Sequence, residues 1–528
     1  MISNFYDRFV ATFNPEKALR HATARAKIQV LNSGYSHHGA NRTKKSLLGW
    51  IFKGGSPDDD ITANLDILHQ RSRDLYMGSP IATSAIKTCR TNVVGCGLRL
   101  KSQIDAEFLG LTDEEADQWE RTTEREFAMW CEECDAGRQM NFYELQALVF
   151  LSALMSGDVF CLLPMIPRPN TPYALKVNVI EADRICNPTE ISDTGYNQKL
   201  NVRGGVEVDW YGAPVAYYIA RNHPLDSYQG KNEWDRVLAF GAKSGRRNVL
   251  HIMEFERPGQ RRGVPLLSPV IESLKQLARY TNAELMAAVV SGLLNVFIES
   301  NSVENPLGEA ISPDQQVDEH DTNSYELGNG AIISLAPGEK ANVVNPARPN
   351  TAFDGFVVSI TRQIGAALEI PFEILMKHFT ASYSASRAAL LEAWKTFRMK
   401  RSWLVSRFCQ PVYVEWLTEA VARGRIKAPG FFDDPAIRYA YCGAEWHGPS
   451  QGQIDPLKEV NAAKIRVEEG FSTRAKEAAE LTGSDFERII RQRSKEERLR
   501  QEGGLIIEKE GEKRGKNTEV LAVPDGEE

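Results

Sequence analysis

The run from Pro265 to Ile298 limits the folds open to this chain more than any other stretch. Leu267, Val270, Ile271, Leu274, Leu277 and Ala278 recur at i, i+3 and i+4, the spacing of one helix face. Ala283, Ala287, Ala288, Ser291 and Gly292 follow, small residues that let neighbouring backbones approach closely. At a rise of about 1.5 Å per residue the run makes a rod of about 50 Å. That is long for one small domain to bury. A second amphipathic run lies downstream. Phe353, Phe356, Val357, Ile360, Ile364, Ala367 and Leu368 share a face, with Asn350 or Thr351 as a plausible N-cap and Pro371 beyond the end.

Between the rods, residues 299–349 change character. Glu299, Glu304, Glu309, Asp314, Asp318, Glu319, Asp321, Glu326 and Glu339 face only Lys340 and Arg348, so this reads as a small acidic insert. His320, among Asp318, Glu319 and Asp321, could join oxygen ligands on a divalent cation. No glycine-containing EF-hand-like spacing is present, and a solvated acidic face is the simpler reading. After the second rod comes a polar loop, "PFEILMKHFTASYSA", and then a helix crowded with arginine and aromatic residues, from about Ser386 to Trp403. The middle third therefore reads helix, acidic insert, helix, polar loop, helix.

The 528-residue chain can hold more than one domain. Residues 61 to about 260 read as α+β. "ADQWERTTEREFAMWCEE" and "NFYELQALVFLSALMSG" have helical periodicity, the second ending at Gly157. "VEVDWYGAPVAYYIA" alternates around a turn and fits a hairpin, and "RNVLHIM" is a strand candidate. The last third is helical. Pro411 can open a helix that ends near Gly424, Asp455-Pro456 opens another, Ser472 a short one, and Ser484 with Glu487 forms a capping box. Residues 1–60 form a basic arm ending in a linker-like run, and the charged tail from about 503 has the composition of a disordered segment.

Several function classes are excluded or unsupported. The net charge of −7 excludes a bulk nucleic-acid binder of the histone type. Eight cysteines form no regular framework, which fits a reducing compartment, and no signal peptide is visible. The best membrane candidate, Ala283–Ile298, is too short, contains Glu284 and Asn295, and reads as a buried helix. There is no phosphate-binding G-x-x-x-x-G-K-[ST], no H-E-x-x-H and no G-x-S-x-G. "CEEC" (Cys131–Cys134) has no second pair and sits in a helical stretch, so ordinary helix cysteines are expected.

Six stretches, in order, carry a resemblance: "RSRDLYMGSPIATSAIKTCRTNVVGCGLRL", "SGDVF", "GVEVDWYGAPVAYYI", "HIMEFERPGQRRGVPLLSPVI", "YSASRAALLEAWKTFR" and "EWHGPSQGQIDPLKEVNAAKIRVEEGFST". Together they resemble the portal proteins of tailed double-stranded DNA phages, in the lambda-like portal family, over residues 65 to 500. The resemblance implies a helix-rich α+β portal fold of wing, stem, clip and crown, assembled as a cyclic ring of twelve subunits. Mapped onto this chain it implies a wing at 61–264, stem helices at 265–298 and 350–370, a clip at 299–349, a tunnel loop at 371–385, its helix at 386–410, and outer wing and crown helices at 411–502.

Functionally, the resemblance implies a non-enzymatic DNA channel at one capsid vertex, used in genome packaging, genome ejection and head–tail joining. The implied partners are the terminase large subunit, the major capsid protein, a head–tail adaptor and double-stranded DNA. No cofactor, metal or membrane is implied. The location is the virion, with assembly in the host cytoplasm. Lys377, His378, Thr380, Ser382, Tyr383 and Ser384 are expected on the channel loop, and Asp318, Glu319 and Asp321 on the surface that docks the terminase. Arg387, Arg398 and Arg401, with Lys395, fall within about a third of the helix circumference, and pairing with acidic residues of a neighbouring subunit is preferred over DNA contact. Gly292 is expected at a close contact between stems. Trp394 and Phe397 read as core or interface residues. The alternatives are another virion connector or tail protein, or a DNA-processing packaging enzyme, which would need the phosphate loop or metal-ligand carboxylates that this sequence lacks.

Overall fold

The computed structural model describes residues 54–188, 201–226, 233–293, 297–300, 339–342, 352–379, 382–453 and 455–503, with isolated positions between 12 and 50. The chain divides into residues 1–56 and residues 57–528. Within the first unit, Lys45–Leu47 forms one turn of 3-10 helix.

Helices α1 (Leu65–Gly78) and α2 (Pro80–Val93) are separated by Ser79, whose extended backbone places Pro80 at the first helical position. There the missing N–H of proline costs nothing. Strand β1 (Arg99–Ser102) leads to α3 (Asp113–Cys131) and α4 (Phe142–Ser156). Each of these two helices starts with a capping box, Thr112 with Glu115 and Asn141 with Glu144. Helix α4 ends at Gly157 in positive φ, at the position expected from sequence.

The β layer has two antiparallel sheets. Strands β2 (Asp158–Leu162), β3 (Asn178–Ile180) and β8 (Val249–Met253) pair in the order β3-β2-β8. Strands β4 (Val202–Arg203), β5 (Val206–Val208), β6 (Pro214–Ala220) and β7 (Trp234–Leu238) pair in sequence order. The expected hairpin is β5–β6, and Trp210 and Tyr211 at its tip are almost fully exposed.

Helix α5 covers Ile271–Leu293, after a 3-10 turn at Ser268–Val270. It is shorter than the rod expected over 265–298. Phe297 and Ile298 belong instead to strand β9 (Phe297–Ser300), which pairs antiparallel with β10 (Glu339–Asn342). The acidic insert therefore leaves and returns through a two-stranded ribbon. Helix α6 is Phe353–Ala367; its N-cap is Ala352 with no side-chain cap, and Asn350 and Thr351 lie outside the described residues.

Pro411 stands in the first turn of a helix that ends near Gly424, as expected, but that helix continues the one before it. Helix α7 (Tyr383–Leu404), a π turn (Val405–Cys409) and α8 (Gln410–Ala422) form one continuous run. Proline inside an α-helix lacks a donor and clashes with the carbonyl four residues back. The wider π turn just before Pro411 relieves this, with the Gln410 amide bonding the Val405 carbonyl five residues back. Strand β11 (Ala444–His447) then pairs with β1, and α9 (Pro456–Glu468), α10 (Arg474–Thr482) and α11 (Phe486–Glu502) complete the described chain. Asp455 caps α9. Thr473 caps α10 and Asp485 caps α11, each one residue beyond the expected Ser472 and Ser484.

One apolar core joins the N-terminal helices to the α7–α8 run. Its centre is an aromatic nest in which Phe127 contacts Trp416 (ring centroids 5.0 Å apart), Phe142 (5.6 Å) and Tyr413 (5.6 Å).

A buried ion pair ties the sheets to the start of α5. Asp158 is fully buried and Arg262 is 3% exposed. Arg262 Nε donates to Asp158 Oδ2 at 2.6 Å and Nη2 to Oδ1 at 3.1 Å. Its other N–H groups donate to the carbonyls of Ile185 (2.7 Å), Gly204 (2.8 Å) and Ala182 (2.9 Å). All five guanidinium donors are thus used. Asp158 also accepts from the Gly263 amide at 3.0 Å, and His251 Nε2 lies 3.4 Å from it. Burial alone would raise the Asp158 carboxyl, but Arg262 and His251 hold it far below the usual carboxylate range. Two glycines make the approach possible. A Cβ on Gly157 would stand 2.4 Å from the Val264 carbonyl carbon, and one on Gly263 only 2.0 Å from the Gly157 oxygen.

Asp158→Asn should therefore leave a buried guanidinium uncompensated and cost about 3–5 kcal/mol at neutral pH. Because the folded-state pKa is depressed, the stabilisation is complete above the unfolded pKa of about 3.9 and fades as pH falls below it. Urea denaturation should show the gap between parent and variant narrowing in acid. A loss under about 1 kcal/mol at pH 7 would remove this pair from its structural role.

Candidate functional site

Helices α5 and α6 are each half inside the body and half outside it. On the first, Leu274 and Leu277 are buried, as are Leu267 and Val270 just before it. Further along, Leu285 is 64% exposed, Met286 60% and Val289 48%. On the second, the distal Phe356 is 47% exposed, while Ile364 and Leu368 are buried. The helices meet where Tyr280 stacks on Phe353 (5.6 Å) and meets Phe356 edge-on (4.8 Å). Residues 283–289, the start of the stretch expected to be a buried helix, are thus largely uncovered in a single chain. Among the described residues no helix is long and apolar enough to cross a membrane. Gly292 lies in the last turn of α5.

The segment after α6 has an anchored base and an exposed end. Residues 371–375, expected as loop, begin with Pro371 and continue as a helical turn, Phe372–Leu375. Ile370, Ile374 and Leu375 are buried, and Ser84 Oγ donates to the Leu375 carbonyl at 2.7 Å. The Ile370 amide donates to the Gly365 carbonyl at 2.9 Å. A Cβ on Gly365 would come within 2.6 Å of the Ile370 oxygen, so the tight return from α6 requires glycine there. Beyond this base, Met376, Lys377, His378 and Phe379 are all exposed, and Lys377 adopts a left-handed backbone. Ser382 is exposed and caps α7 through the Ala385 amide; Tyr383 and Ser384, in its first turn, are exposed. Thr380 lies outside the described residues, as do Asp318, Glu319, His320 and Asp321.

The cations of α7 have partners within the chain. Arg387 donates to Glu459 at 2.7 Å, Arg398 stands 3.7 Å from Glu480, and Lys395 pairs with Glu392 at 2.6 Å. Arg401 donates to the carbonyls of Val93 (3.1 Å), Asn92 (2.9 Å) and Pro449 (2.8 Å) and lies over the Trp394 ring. These contacts account for the position of Arg401 within one chain. Trp394 and Phe397 are core residues.

Sequence reasoning missed two polar clusters. One is the Arg262–Asp158 pair, whose partners lie about a hundred positions apart. The other joins Arg73 to Asp183, with Glu181 at 3.2 Å from Arg73 and His69 Nδ1 at 3.4 Å from Asp183. Among the described residues, Glu181, Asp183 and His223 are the group whose ligand atoms come close enough for a metal ion. The Arg73 guanidinium already pairs with both carboxylates, so the cluster is a salt-bridge node. Cys131 and Cys134 are buried free thiols, and burial pushes both pKa values up.

The sequence family described as phage portal protein, lambda family, matches residues 43–401. The portal protein of Escherichia phage N15 is 26% identical over 496 residues, covering 90% of this chain and 91% of its own. Portal protein B of Escherichia phage lambda has the same identity and coverage. A probable portal protein of Halomonas phage phiHAP-1 is 25% identical over 431 residues, covering 78% of this chain and 77% of its own. Among solved structures, a chain from the virion of a native gene transfer agent particle aligns over 80% of this chain and 94% of its own, at 15% identity and a TM-score of 0.43.

Two alanine substitutions on α6 should separate the return to the exposed segment from general helix effects. Gly365→Ala should cost about 1–3 kcal/mol by overpacking and increase protease cleavage near Lys377. Gly355→Ala, where nothing lies within 4 Å of the new Cβ, should stabilise by about 0.5–1 kcal/mol. Equal denaturation midpoints for the two variants would contradict this account of the segment's base.

Proposed function

Because the chain belongs to the lambda family of phage portal proteins, we propose that its subunits close into a ring, twelve in the mature particle, whose lumen carries the genome in and out of the head. It is a virion component acting at the portal vertex. The observation that supports a ring is the pair of half-buried rods. Each chain satisfies the proximal half of α5 and α6 and leaves Leu285, Met286, Val289 and Phe356 uncovered. A head-to-tail interface that closes on itself would bury such faces without leaving a free end.

On this reading α5 and α6 are the stem, and the acidic insert entered through the β9–β10 ribbon is the clip that meets the terminase large subunit, steered by charge. Asp318, Glu319 and Asp321 are its proposed docking residues. The segment from Met376 to Ser384 is the proposed channel loop, offering Lys377 and His378 with Thr380 beside Ser382, Tyr383 and Ser384. Each phosphate neutralised by a fixed cation adds about 0.9 to the salt slope of binding. A loop with few cations therefore touches DNA without stalling it. The major capsid protein and a head–tail adaptor are the remaining proposed partners, with assembly in the host cytoplasm. The portal family is structural, and no catalytic role is proposed here.

Two experiments test the reading. Negative-stain electron microscopy of the purified protein should show closed rings with a central hole. Leu285→Glu with Met286→Glu should leave circular dichroism unchanged and shift light scattering from ring to small species; rings that form and melt like the parent would refute the stem assignment. Separately, Thr380→Arg, Ser382→Arg and Ser384→Arg together should slow packaging at low salt, with partial recovery as salt rises. Parental packaging rates at low salt would move this segment out of the channel.

A further inference from the structure

The C-terminal helices α9, α10 and α11 are joined to the rest of the protein in a different way from the other elements. The buried members of the main core end at Cys442. Among the described residues of these three helices, only Ala463 and Glu477 are buried. Charge joins this module to the body, with a consistent polarity. Lys101 on β1 lies 3.6 Å from Asp485 and 3.3 Å from Glu487. Arg387 and Arg398 on α7 face Glu459 and Glu480. In each pair the body supplies the cation and the module the carboxylate. The charged contact of opposite sense among the described residues sets Lys458 over the Tyr383 ring.

The fit between the two parts is open. Clefts of about 700 and 540 Å³ lie between them, the first lined by Lys101, Arg398, Glu480 and Glu487, the second by Arg387, Arg398, Glu459 and Glu480. The connecting residues 448–453 have no regular structure, and Gly452 has a positive φ. Partly exposed ion pairs are individually weak and are screened by salt. A module held mainly by such pairs docks reversibly.

We infer that α9–α11 form an electrostatic cover, which masks the cations Lys101, Arg387 and Arg398 from nucleic acid and swings aside when phosphates compete for them. The inference rests on the DNA-channel reading above and adds a regulatory element to it. Duplex DNA is a strong competitor because each phosphate it brings releases counterions. The carboxylates Glu459, Glu480, Asp485 and Glu487 thus stand where phosphates would otherwise bind.

Hydrogen–deuterium exchange on the assembled full-length protein tests the docking directly. Between about 0.05 and 0.5 M salt, a range over which screening becomes strong, exchange in residues 456–502 should quicken about tenfold while that in β2 and β8 holds. A variant carrying Glu459→Gln, Glu480→Gln, Asp485→Asn and Glu487→Gln keeps an N-cap acceptor at 485. It should bind a duplex oligonucleotide about tenfold tighter than the parent at moderate salt, with a salt slope steeper by about 0.9 for each cation uncovered. The mirror variant, Lys101→Gln with Arg387→Gln and Arg398→Gln, should free the module equally yet bind DNA no tighter than the parent. Salt-independent exchange overturns the cover, as does unchanged DNA affinity in an acid-neutralised variant whose module is free. Parent rings without an open hole would instead refute the channel reading, whatever the exchange shows.

Discussion

Arg262 and Asp158 meet where three parts of the protein must agree. Asp158 begins β2 directly after α4, Gly204 lies between β4 and β5, and Arg262 precedes the turn into α5. The guanidinium, carried by the third region, bonds to the other two, and Gly157 and Gly263 let two backbones approach to distances that no Cβ would tolerate. A buried charge pair of this kind adds little net stability over a well-packed apolar substitute, but removing one partner is expensive. Its value lies in orientation, since it fixes the direction in which α5 leaves the body.

That direction matters because α5 and α6 are only half satisfied by their own chain. The aromatic nest around Phe127, Phe142, Tyr413 and Trp416 belongs to the same core that buries the proximal parts of the two rods. The same division recurs at the other end of the molecule, with a different interaction. There the C-terminal helices rest on ion pairs and little buried surface, so they can be released without disturbing the core. One part of the protein is built to stay fixed and another to come away.

Much of this was legible in the sequence. Periodicity located α3, α4 and the proximal faces of α5 and α6, because amphipathic spacing is local information. The β5–β6 hairpin was visible from alternation around Gly212. What escaped was non-local. The carboxylates that meet Arg387 and Arg398 lie about 70 to 80 positions downstream, so a reading of α7 alone could only say that its cations needed acidic neighbours, and it sought them on another subunit. The core role of Ile374 and Leu375 was hidden inside a stretch that otherwise reads as polar loop. Pro411 marked the first turn of α8, but the π turn that joins α8 to α7 leaves no mark in composition.

Helix α7 spans 22 residues, a lever of about 33 Å from Tyr383 to Leu404. Its far end continues into the aromatic nest, where Phe408, Tyr413 and Trp416 cannot shift without opening the core. The stretch of the rod with widened hydrogen bonding, Val405–Cys409, is itself part of that nest through Phe408, which stacks on Phe142. Ala393, Trp394, Phe397 and Leu404 of α7 are buried in the same core, so the helix is already held over its second half before the π turn begins. The part of the lever that stands clear is therefore short, from Tyr383 to Glu392, and the π turn lies within the part that is held.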